Sequence, residues 1–231
     1  MPSPHLNLAI SYYVRSEADL EGLESLANHS IELGIKSIDT PLLLEARRIM
    51  DRNNTMAASV HAPKLSPDVT ENAILTLYDL FSAQRFTIHP DKRNKEQAVR
   101  MWAPVLHRLA KKDIRIGFEN SRKTGSWLTD PYDIPRKHPF YITFDMNHLP
   151  AQYDEAQVLE DLKDRILITH VVDRKYTAPY ENFQKLFPHM LNAFHIEYVL
   201  EYGRQHLDTM KQDYKVLTQL SQDCDSQRSS S

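Results

Sequence analysis

The sequence has one cysteine, Cys224, and only five glycines. No apolar run approaches the ~18 residues that a membrane-spanning helix needs. A single cysteine can form no intrachain disulfide, so a reducing compartment, the cytosol, is expected. The opening "MPSPHLNLAI" has no basic segment leading into an apolar one, so it does not read as a signal peptide. With so few glycines and no GxGxxG or Walker-type segment, a glycine-rich phosphate cradle is excluded. Any charged ligand must then be held by side chains or by a metal. An excess of basic charge is also lacking: the formal net charge is −3. That argues against a phosphate backbone as the main partner, and no membrane partner is expected.

Histidine, by contrast, is plentiful, with 11 in 231 residues. Eight short segments read as strands from their β-branched and apolar content. They are 6–13, 35–42 ("IKSIDTPL"), 56–63, 85–90, 114–120, 140–148, 166–173 and 196–202. Amphipathic helical stretches lie between most of them. The first, "SEADLEGLESLANHSIELG", has Ser16 as N-cap and stops at Gly34. The third, "NKEQAVRMWAPVLHRLAKKD", carries Pro104, which predicts a kink or an early start to a second set of turns. Near-continuous apolar strands fit a parallel sheet covered on both faces. Strand–helix alternation over this length predicts a single (β/α)8 TIM barrel over residues 1–220. The polar residues 221–231 read as a disordered tail.

In such a barrel the chemistry gathers at the C-terminal strand ends. Strand three ends with His61, strand four with His89, strand five with Glu119 and Asn120. Strand six ends with Asp145 and His148, strand seven with His170 and Asp173, strand eight with Glu201. Each has a bland reading: a His before Pro is usually a turn residue, and a strand-end carboxylate usually caps the next helix. Six such readings would have to coincide in one layer. The other seven histidines, among them His29 and His195, read as structural or solvated. Mixed carboxylate and imidazole donors suit Mn²⁺ or Zn²⁺ better than Mg²⁺ or Ca²⁺. Glu119, Asp145, His170 and Glu201 would surround one ion, and His61 and His89 could complete a second with Glu119 as bridge.

The ordered set "VHAP…IHP…FEN…DMNH…HVVD…LEY" resembles the xylose isomerase-like barrel superfamily over nearly the whole chain. That group includes sugar isomerases and epimerases, related dehydratases, and endonuclease IV. In the isomerase branch the resemblance implies one divalent ion on Glu119, Asp145, His170 and Glu201. Glu119 and Glu201 would then act as catalytic acid and base on a polyhydroxylated, sugar-like substrate, through a metal-stabilised enediolate. His148 and Asn120 would bind substrate, and Arg174 or Arg122 would hold a distal hydroxyl or carboxylate. A metal-dependent isomerase or epimerase is the first expectation. The endonuclease IV branch implies a metal-dependent phosphodiesterase acting on abasic-site DNA. All seven of His61, His89, Glu119, Asp145, His148, His170 and Glu201 match its ligand positions. The Asp-x-His pair expected after strand seven is missing from "VDRKYTAPYENFQ".

Overall fold

The structure, a computed structural model, describes residues 6–63, 67–123, 125–172 and 186–228. Eight parallel strands close into a barrel in sequence order: β1 (Asn7–Val14), β2 (Ser30–Ile35), β3 (Met56–His61), β4 (Arg85–Ile88), β5 (Arg115–Glu119), β6 (Tyr141–Asp145), β7 (Ile166–Val171) and β8 (Glu197–Leu200). The ring is closed by β1 pairing with β8, Asn7 opposite Glu197 and Ile10 opposite Leu200. The helices are α1 (Leu20–Glu24), α2 (Thr40–Arg52), α3 (Pro67–Phe81), α4 (Lys95–Ala110), α5 (Glu155–Leu162) and a C-terminal helix, Leu207–Arg228. The (β/α)8 expectation holds. Among the described residues, no helix is long and apolar enough to cross a membrane.

Three elements differ from the sequence reading. The second strand is "SIELGI", not "IKSIDTPL". Residues 40–52 are helical because Asp39 caps them, its carboxylate accepting from Leu42 N with Pro41 in the first turn. Gly34 mimics a helix stop in the sequence, but it is a strand residue whose missing Cβ makes room for the Tyr13 ring. Among its described residues the β5–β6 connection carries no α-helix and a single 3-10 turn, Pro131–Asp133. Aromatic packing covers the barrel there: Trp127 meets Phe118 edge-on at 5.1 Å and Phe140 at 6.0 Å. The last helix runs past residue 220 to Arg228, so the expected tail begins within a helix. Ser221 is buried, and its hydroxyl accepts from Leu6 N at 3.1 Å.

Pro104 does not interrupt α4. A proline inside a helix costs about 3 kcal/mol. Burying Trp102, Val105, Leu106 and Leu109 on the same helix returns roughly 1.5–3 kcal/mol each, so packing wins. The Asn94–Gln97 capping box contributes about 1 kcal/mol more at its start.

The apolar core lies between strands and helices: Ile10, Leu33, Val60, Phe86, Phe118, Phe144 and Tyr198 all belong to it. Inward positions are largely polar, unlike the Val/Ile/Leu layers usual in such barrels. Ser59 Oγ donates to Glu197 Oε1 at 2.5 Å, and Thr87 Oγ1 donates to Glu32 Oε1 at 2.8 Å. Thr87 also meets Thr143 at 3.0 Å. These bonds join β3 to β8, β4 to β2 and β4 to β6 through the barrel interior. Threonine and serine serve strand geometry and bonding together.

Glu197 is the exposed weakness of this lining. Burial pushes its carboxyl up to about 7, against the Ser59 hydrogen bond and an Arg85 guanidinium 3.6 Å away. A carboxyl raised from 4.5 stays protonated in the fold while the unfolded chain ionises. Stability therefore falls as pH rises from about 4.5 to about 7, by about 3 kcal/mol in all. Glu197→Gln should remove this slope; urea melts at pH 5 and pH 8 would check it, and parallel pH profiles for variant and parent would contradict it.

Candidate metal centre

The strand exits converge on one cavity, lined by His61, His89, Glu119, Asp145, His148 and Glu201, with Ser11, Tyr13, Arg15, Asp19 and Arg204 alongside. Its ligand-type side chains form three overlapping triplets: His61–His89–Glu119, Glu119–Asp145–His148 and Asp145–His170–Glu201. Within each, the donor atoms lie within 4.8 Å of one another. Glu119 and Asp145 are the shared members. The expected quartet is thus split, with Glu119 one triplet away from His170 and Glu201.

Strand register explains the convergence. In β5 and β6 the pairing of Gly117 with Tyr141 and Glu119 with Thr143 puts Asp145 just beyond the Glu119 exit. Asp145 then pairs with His170 on β7. Glu119 is almost fully buried, and its two oxygens face different ways. Oε2 lies 2.8 Å from His89 Nδ1 and 3.3 Å from His61 Nε2; Oε1 lies 3.4 Å from His148 Nδ1. Burial alone would raise this carboxyl, but hydrogen bonds from His148, His61 and His89 outweigh it and hold Glu119 well below its usual range. Asp145 is pushed up, chiefly by burial.

The imidazoles carry the compensating charge. The Asp145 hydrogen bond, at 2.8 Å, with Glu119 behind it, pushes His148 up to about 10. Burial works against a charge on His61 and His170, but the adjoining carboxylates overcome it and raise both. Protons here occupy the place a cation would take, so metal binding must displace them.

His170 shows how the donors are set. It is fully buried, with Nε2 3.0 Å from Glu32 Oε2 on one side and Nδ1 3.1 Å from Glu201 Oε2 on the other. The Nδ1 contact lacks hydrogen-bond geometry, leaving a buried nitrogen without a hydrogen-bond partner beside a carboxylate and Asp145. That is the disposition of a metal ligand whose far nitrogen is fixed by an outer carboxylate. Mixed N and O donors fit a divalent transition metal.

Of the residues singled out in the sequence, seven come together. Asn120 does not face the cavity. It is fully buried, and its amide bonds the Asp145 backbone twice, Nδ2 to O at 2.9 Å and from Asp145 N to Oδ1 at 2.7 Å. Asn120 is bonded to Asp145 and is not among the residues that line the cavity. Its carbonyl also lies 2.9 Å from His148 Nδ1. Asp173 and Arg174 lie outside the described residues, and Arg122 is exposed and absent from the cavity lining. His29 rests on Tyr214 and His195 meets Lys163 O, as structural histidines do. Glu32 was missed because its strand was misplaced. The pattern I-E-L ahead of a glycine was the signal that could have found it.

No family model matches the sequence, and no curated protein matches it. Solved structures do. An AP endonuclease, family 2, from Brucella melitensis superposes with a TM-score of 0.68 at 12% identity, covering 85% of this chain and 92% of that one. A xylose isomerase domain protein from Planctomyces limnophilus gives 0.64 at 11%, covering 96% and 99%. A probable 3-DHS dehydratase involved in petrobactin synthesis in Bacillus anthracis gives 0.63 at 12%, covering 91% and 98%. The chain shares the xylose isomerase-like barrel fold, which hosts several kinds of chemistry.

Removing the outer carboxylate while keeping its shape isolates its role. Glu32→Gln should weaken zinc or manganese binding about 10–100-fold, read by competition with a chromogenic chelator, with the far-UV circular dichroism unchanged. Unaltered affinity would show that Glu32 does not orient His170.

Proposed function

We propose that this protein is a divalent-metal-dependent hydrolase of phosphate esters, with two ions held side by side and Glu119 between them. The observation that carries the reading is the two-way carboxylate of Glu119: Oε2 faces His61 and His89, while Oε1 faces the His148 and Asp145 side. His61 and His89 with Glu119 would hold one ion; Asp145, His170 and Glu201 would hold the other. This departs from the single ion first expected and makes use of two histidines that a one-ion isomerase does not need.

A pair of such ions, when bound, would supply a nucleophile from water at neutral pH and stabilise charge on the phosphoryl oxygens. The chain's own groups do the rest. Glu119, with its two oxygens facing opposite sides of the array, would serve as the shared anionic ligand. His148, a quarter exposed at the cavity and 2.8 Å from Asp145, could donate a hydrogen bond to a departing or non-bridging oxygen. Asn120 fixes Asp145, and Glu32 fixes His170, so the ligand set is held before substrate arrives. Nucleic acid remains a weaker partner than a small phosphoester, given the net charge of −3.

The isomerase or epimerase reading keeps one observation in its favour. Glu201 is about one-fifth exposed in the cavity, so a second carboxylate is open to a sugar-like substrate opposite Glu119. Glu119, fully enclosed by His61, His89 and His148, is less open to a substrate than Glu201.

With zinc or manganese supplied, the protein should hydrolyse bis(p-nitrophenyl) phosphate. His89→Ala should lower kcat at least 100-fold, because only the two-ion reading requires that residue. An oligonucleotide with an abasic site tests the nucleic-acid branch in the same assay. Interconversion of ketose epimers by a His89→Ala variant at parental rate, with no phosphodiester turnover in the parent, would overturn the proposal.

A further inference from the structure

The cavity over the ligand array continues into a second lobe of similar size, roughly 320 Å³ each, between the exits of β1, β2 and β3. The two share Tyr13, Arg15, His61 and His89. Their chemistry differs. The first lobe is lined by four carboxylates, Asp19, Glu119, Asp145 and Glu201. Among the described residues no carboxylate lines the second, whereas Arg15 and Lys36 both do. Both cations are exposed, and neither forms an ion pair with a described residue. Arg204, by contrast, is already paired with Asp19.

Among the described residues, Arg15 is held without a carboxylate partner. Its guanidinium stacks over the Tyr13 ring, 5.0 Å from the centroid, a contact that leaves its N–H groups free. The Tyr13 ring is fixed in turn: it occupies the space that a Cβ on Gly34 would need, and its other neighbour is His61 at 5.6 Å. Ile35, Ala62 and Pro63, all buried, give the lobe an apolar side. A pre-positioned guanidinium and an ammonium, neither in an ion pair with a described residue, beside an apolar surface suit an anionic group carried on a short carbon framework.

We propose that this second lobe is a subsite for an anionic substituent of the substrate, a phosphate or carboxylate distinct from the group that reacts, held by Arg15 and Lys36. The inference deepens the hydrolase reading and rests on it for the position of the reacting group. It narrows the substrate class to small phosphoesters bearing a second negative charge.

The test is titration of the full chain with inorganic phosphate and with acetate, followed by NMR at low ionic strength. Metal-depleted and zinc-loaded samples are compared for the parent, Arg15→Gln/Lys36→Gln and a control, Lys112→Gln. Phosphate or acetate affinity should fall at least tenfold in the double variant and stay unchanged in the control, with circular dichroism and zinc content as in the parent. Tighter binding of phosphate than acetate assigns a phosphoryl substituent, and the reverse assigns a carboxylate. Equal affinity in parent and double variant, with or without zinc, overturns the proposal. Failure to take up zinc would sink the hydrolase reading instead, while the metal-depleted titration would still decide the subsite.

Discussion

A buried carboxylate that faces two ways is the constraint on which the mouth of this barrel depends. Glu119 is nearly inaccessible to water, so its charge must be met inside the protein. Three imidazoles meet it, from the ends of β3, β4 and β6. An isolated buried charge costs several kcal/mol, so no partner can be lost cheaply. Under the two-ion proposal, metal ions instead of protons would meet the same requirement, one on each side of the carboxylate. Asp145 repeats the arrangement one strand on, shared between the second and third triplets.

The polar interior of the barrel follows from this array. His170 stands at the top of the lining with one nitrogen toward Glu201 and the other toward Glu32. Glu32 in turn takes the Thr87 hydroxyl, and Thr87 meets Thr143. A ligand orientation at the mouth is thereby tied through hydrogen bonds to strands on the far side of the ring. An apolar interior would pack at least as stably, since buried polar networks roughly break even at best. What the polar column adds is a fixed geometry for the donors. Glu197 and Arg85, 3.6 Å apart at their closest, belong to the same lining, where Arg85 Nη1 has no hydrogen-bond partner among the described residues.

Much of this was legible in the sequence, for identifiable reasons. Strand exits were readable because a run such as "YITFD" changes from β-branched and aromatic to charged within one residue. His61, His89, Asp145 and Glu201 all announce themselves this way. Glu32 did not, because "SIELG" fits a helix end as well as a strand, and only the Tyr13 ring across Gly34 decides between them. Ser59, Thr87 and Thr143 were invisible as a network, since hydroxyl residues are ordinary in strands whichever way they face. Asn120 was read as facing substrate because it follows Glu119; its burial against Asp145 depends on a cross-strand contact that spacing does not reveal.

The central claim is that two ions flank Glu119. Anomalous diffraction at the zinc edge, on crystals of the protein loaded with zinc, tests it most directly. Two peaks are predicted, one beside His61, His89 and Glu119 and one beside Asp145, His170 and Glu201. A single peak beside the second set alone, with His61 and His89 unligated, would contradict the account.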